Sequence, residues 1–205
     1  MMVVLVGELG TDTPLIASRQ REGLDQHDEI WEGTYVVSPA ANNEHQELVS
    51  KLTMVFGMII DLAGLGRTFP GVNISDREVN WHENYRVPDL AIFLNQTQAR
   101  DLGTHWVGGP DFAVEVVSPG DRSWEKLPFY SQVGVRELLF IDRDPWRLEL
   151  YRLQEGILAP AGASELPDSA VLESRMLPVR FRVTAGAARP VIEVAQGDSR
   201  QAWLV

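Results

Sequence analysis

The 205-residue chain is long enough for one domain with a sizeable core, and its 44% hydrophobic and 23% charged content is that of a soluble globular protein. It contains no cysteine, which excludes disulfides, iron–sulfur clusters, thiolate zinc sites and cysteine nucleophiles; its four histidines, His27, His45, His82 and His105, form no pair at helical metal-ligand spacing. The net charge of −11 argues against a general nucleic-acid coat, but residues 1–121 hold 7 basic and 18 acidic side chains while residues 122–205 hold 11 of each. A polyanion would therefore have to be met in the later part or with metal assistance.

In chain order, MMVVLVGELG is apolar but short, lacks a basic leader and meets Glu8, so it reads as a strand or loose tail and not as a signal peptide. DEIWEGTYVVSP alternates around Glu32-Gly33 and predicts a short hairpin. Leu48, Leu52, Val55, Phe56, Ile59 and Ile60 recur at spacings that mark an amphipathic helix, closed by Gly64 and Gly66. VPDLAIFL reads as a strand behind a proline, residues 95–110 as a loop, and DFAVEVV as a strand followed by a helix within residues 121–133. ELLFID and RLELYRL are two further strands joined around Asp144-Pro145, and the signal after residue 155 is weak. The pattern predicts a single mixed α/β domain over residues 1–205, with central strands and flanking helices. No run reaches membrane-spanning length, and the expected location is cytoplasmic.

One residue stands out. Glu115 lies mid-strand, where burying a charge is costly. Alternation places Phe112, Val114 and Val116 on one face and Asp111, Ala113, Glu115 and Val117 on the other. Taken alone, Glu115 is either a carboxylate on a solvated sheet face, a structural ion-pair partner or a site residue. Two features favour the last. Asp89 opens the preceding strand, so a β–loop–β connection brings two acids together, which calls for a hard divalent cation such as Mg²⁺ or Mn²⁺. Lys126 follows through the turn SPGD and returns an amine toward the same face. Two acids and a lysine make a hydrolytic site in which the metal activates water and clamps a phosphate. No phosphate loop of the G-x-x-x-x-G-K-[ST] type and no G-x-S-x-G elbow occurs. Ser118-Pro119 reads as a turn and not as a nucleophile, and His82-Glu83-Asn84 reads as a polar turn.

The segments EGTYVVSPAANNEHQELVSKL, RVPDLAIFL, DFAVEVVSPGD and EKLPFYSQVGVRELLFIDRD, in this order, resemble the Uma-type restriction endonuclease family within the PD-(D/E)XK nuclease superfamily. The resemblance runs from about Asp28 to Val183. It implies a restriction-endonuclease-like core with a mixed central β-sheet flanked by helices, and a DNA phosphodiesterase that uses Mg²⁺, with Mn²⁺ as a substitute. Asp89 and Glu115 would be metal ligands, the carbonyl of Val116 would complete the site, and Lys126 would supply the amine. The broader superfamily carries its lysine two residues after the acid, where this chain has Val117; the substitution puts the amine on the following helix. There Pro128 interrupts the helix unless it falls in the first turn. His45 and Glu47 on the long helix are accessory candidates, the alternative for Glu47 being a first-turn acid that favours the helix dipole. Asp121 either caps the following helix or supports the site, and Tyr130 is either core or accessory. Double-strand cleavage implies a homodimer. The competing class is a nuclease-fold protein that binds without reacting, and RNA or damaged DNA are alternative substrates.

Overall fold

The structure is a computed structural model that describes residues 4–8, 14–38, 41–118, 120, 122–197 and 201–205. Its described residues form a mixed α/β architecture of three sheets with few helices. The central six-stranded sheet runs, from edge to edge, Ile157–Glu165, Trp146–Gln154, Glu137–Arg143, Phe112–Val116, Leu90–Leu94 and Gly66–Pro70. All neighbours are antiparallel except Phe112–Val116 and Glu137–Arg143, which run parallel in the register Phe112↔Glu137 to Val116↔Ile141. A parallel pair needs a crossover that a tight turn cannot supply. The chain makes it with a 3-10 turn, Ser123–Lys126, leading directly into the helix Leu127–Gln132. Pro128 sits in that helix's first turn, where its missing N–H leaves no bond unmade.

Both faces of the central sheet are covered, so the alternation in FAVEVV separates two cores and not core from solvent. Phe112, Val114 and Val116 pack with Leu48, Leu52 and Phe56 of the long helix Asn43–Phe56. Ala113 and Val117 join Phe129, Tyr130 and Phe140 on the other side. Phe56, Phe112 and Phe181 cluster with centroids 5.7–6.2 Å apart, tying helix, central sheet and a four-stranded C-terminal sheet together. Each such aromatic pair contributes about 0.5–1.5 kcal/mol beyond its buried area.

The hairpin Glu29–Trp31/Thr34–Val37 forms as the sequence predicts. Glu32 and Gly33 both take positive φ, the backbone that a two-residue hairpin turn demands and that glycine tolerates best. It joins a seven-stranded sheet with Val4–Glu8, Tyr85–Arg86 and the short strands Ile74–Ser75, Arg100–Asp101 and Trp106–Val107. Two of these short strands lie in the segment expected to be loop. The weak signal after residue 155 corresponds to a nine-residue strand, Ile157–Glu165, whose ILAPAGASE composition is poor for a strand. Pairing along Trp146–Gln154 overrides that propensity. The long helix continues through a π-type segment, Gly57–Asp61, and the helix Pro14–Glu22 had no clear signal in its sequence. Among the described residues, no helix is long and apolar enough to cross a membrane.

Candidate active site

The antiparallel register Ala113↔Ala91 and Val114↔Leu90 extends to place Glu115 beside Asp89, on the same face. Glu115 is 3% exposed, which removes the solvated-face alternative. The crossover turn begins a few residues beyond the end of the Glu115 strand and doubles back over that face. Lys126 on this turn therefore returns to the acid: its Nζ lies 3.0 and 3.1 Å from the two Glu115 oxygens. Tyr130, one helical turn later and fully buried, donates its hydroxyl to Glu115 Oε1.

Asp89 is held from two sides. The Val116 backbone N–H donates to Oδ2 at 2.7 Å, and His45 Nε2 lies 2.8 Å from Oδ1. His45 reaches it from the first turn of the long helix, where the Asn42 side chain caps the His45 N–H at 2.9 Å. The other ring nitrogen of His45, Nδ1, is buried and has no hydrogen-bond partner among the described residues.

A third carboxylate completes the cluster. Glu29, 2% exposed on its hairpin strand, places Oε1 2.9 Å from Lys126 Nζ. Its orientation is fixed by the Val87 N–H at 2.8 Å and the Trp31 indole N–H at 2.6 Å. Glu29 escaped the sequence reading because it sits in a short hairpin strand. The signal that could have found it is the one that marked Glu115, a carboxylate inside an apolar strand. His27, Glu29, His45, Asp89, Glu115 and Lys126 all border one cavity of about 350 Å³.

Three carboxylates thus face a single ammonium. Burial pushes the Glu115 carboxyl up to about 8, helped by the charges of Asp89 and Glu29 and opposed by Lys126. Burial pulls the other way on Lys126, but Glu115 and Glu29 outweigh it and hold the ammonium charged. Tyr130 is raised well above its ordinary value by burial and then by Glu115, so it stays a neutral donor. The neighbouring carboxyls act on both partners, Asp89 and Glu29 adding to the effect of burial on Glu115, and Glu115 and Glu29 raising Lys126. The carboxylate oxygens of Asp89 and Glu115 are the donor type that suits a hard cation. Among the described residues no three or more histidine, cysteine or carboxylate side chains form a ready-made metal cage. A cation here would be held by Asp89, Glu115, a backbone oxygen and water, a donor set that suits Mg²⁺, which keeps several of its waters.

The family model described as "Uma2: Putative restriction endonuclease" matches residues 17–186 of the chain. The protein belongs to the Uma2 family. A solved structure described as a "putative nuclease belonging to DUF820" from Anabaena variabilis ATCC 29413 is similar to it, with a TM-score of 0.58 and 18% identity. The match covers 72% of this chain and 80% of that one. At that identity the likeness is one of fold, and it agrees with the restriction-endonuclease-like core read from the sequence. A search of the curated proteins gives no match.

Within this Uma2 chain the structure gathers Asp89, Glu115, Lys126, His45 and Tyr130 at one place, and Val116 borders the same cavity. Glu47 is not brought there. It is half-exposed on the long helix and pairs with Lys51 at 2.6 Å, the expected pairing of residues four apart. Asp121 lies outside the described residues.

Proposed function

We propose that the protein is a divalent-cation-dependent endonuclease acting on DNA, with Asp89, Glu115 and the Val116 carbonyl holding Mg²⁺ or Mn²⁺. The observation that carries this reading is the convergence of Asp89, Glu115 and Lys126 on one cavity wall from three separate elements. Nuclease family membership and fold support it. The chemistry such a cation supplies when bound is Lewis acidity toward water and toward a phosphate oxygen. Lys126 offsets charge developing on the phosphate, and burial makes that offset stronger than it would be in water. His45 orients Asp89, and Tyr130 keeps its proton and fixes the Glu115 carboxylate. A two-fold dimer would set two such sites against opposite strands, and the cysteine-free composition suits work in the cytoplasm.

The test is plasmid nicking by purified protein with Mg²⁺ or Mn²⁺. Nicking lost in Asp89→Ala is the expected result; no nicking with either ion, or equal nicking in the variant, overturns the proposal. A second reading, a fold retained for binding without reaction, draws on the engagement of Lys126 by two carboxylates and on Val117 at the superfamily's lysine position. Calorimetric titration separates the two, because a protein that takes up no divalent ion falls to the second reading.

A further inference from the structure

Both oxygens of Glu115 are already engaged by the Lys126 ammonium, so a divalent cation that binds there must contend with a cation built into the chain. The same ammonium has a second partner. Glu29 holds it at 2.9 Å from a hairpin in a different sheet, and Glu29 is itself fixed by the Val87 N–H and the Trp31 indole. Neither of those two donors depends on Asp89 or Glu115. We propose that Lys126 is an internal counter-ion that a divalent cation displaces from Glu115, and that Glu29 is the positioning residue that keeps the displaced ammonium in the cavity. The inference rests on the cation-dependent reading given above.

An ammonium and a divalent cation a few ångströms apart repel strongly where little water screens them. The lysine stem is flexible, and its strongly hydrated head gains solvation by leaving. Lys126 would then swing out of the site when it is needed unless a fixed anion retained it. Glu29 supplies that anion, and its rigid anchoring accounts for a third buried carboxylate to which the two-acid, one-lysine scheme gives no task. Arg122, which borders the same cavity, is engaged by Glu125 and does not contend with Lys126 for Glu29.

The chain has only two lysines, Lys51 and Lys126, and Lys51 is a surface residue paired with Glu47. Lysine labelled with ¹⁵N at the side chain therefore gives one exposed ammonium and one buried, exchange-protected ammonium that reports on Lys126. Titrated with Mg²⁺, the full-length protein should shift the Lys126 resonance while keeping it protected. Glu29→Gln should show the protected signal before Mg²⁺, because Glu115 still holds the ammonium, and lose it to water exchange after. Calorimetric Mg²⁺ binding with an unmoved Lys126 signal overturns this inference alone. Loss of the signal in the unmodified protein, or its survival in Glu29→Gln with Mg²⁺ bound, overturns the role of Glu29. No Mg²⁺ binding by calorimetry overturns the nuclease site and this inference together. Should Glu29→Gln not fold, Trp31→Phe removes one of the two groups that fix Glu29 and should give partial loss of protection under Mg²⁺; full protection counts against the proposal.

Discussion

Two buried glutamates lie on adjacent strands of the central sheet, Glu115 at 3% and Glu137 at 1% exposure, and they have opposite surroundings. Glu137 is matched. The Arg152 guanidinium donates to it at 2.7 Å, the Ser174 hydroxyl donates to its other oxygen, and the Arg175 backbone N–H adds a bond at 3.0 Å. It fastens the strand pair to the loop that joins Leu172–Glu173 to Val179–Thr184 in the C-terminal sheet and is not among the residues that border the site cavity. Glu115 shares one ammonium with a second carboxylate, faces a third and borders the cavity. Burial of a charge is common to both. What separates them is whether the neighbours neutralise it, and whether there is room beside it for a ligand.

Mutating each glutamate should break this contrast in opposite ways. Glu137→Ala leaves the Arg152 guanidinium, the Ser174 hydroxyl and a backbone N–H without their acceptor, and is expected to cost about 3–5 kcal/mol in urea unfolding. Nicking per folded molecule should be unchanged. Glu115→Gln should lower nicking by roughly 10²–10³-fold, the scale of losing one preorganised electrostatic group, with a smaller loss of stability than Glu137→Ala.

The pH dependence sharpens the comparison further. The Glu115 carboxyl is held at about 8 in the fold against an ordinary 4.5, so between those values the folded protein binds a proton that the unfolded chain does not. Stability from this group is full below about 4.5 and is lost as pH rises toward 8. In EDTA, Tm should therefore fall from pH 5 to 8.5, and Glu115→Gln should flatten that slope while Glu137→Gln leaves it in place.

Smaller effects mark the edge of the site. Asn42→Ala removes the cap beneath His45 and should cost about 1 kcal/mol, with a modest loss of Mg²⁺ affinity by calorimetry. Glu47→Ala should change neither Tm nor nicking; a loss of nicking would bring Glu47 into the site against its position on the exposed helix face.

The parts of the fold legible in the sequence were those with local causes. The hairpin around Glu32-Gly33 follows from turn chemistry, and the long helix follows from apolar spacing. The strand Phe112–Val116 and its misplaced charge were equally plain. Ile157–Glu165 was obscure because its composition opposes a strand and only its neighbour makes it one. Glu29 was missed because its significance lies in an amine almost a hundred residues away.

The sequence by itself determined the residue types of the candidate site, their order, and the strand period that carries Glu115. Those are properties of neighbours along the chain, set by backbone sterics and by which side chains avoid water. Only the tertiary structure decided that Glu115 is enclosed on both sides of its sheet, that Glu29 joins the cluster and that Glu47 stays outside it. Burial and charge balance arise when separate elements pack, and no stretch of sequence contains them alone.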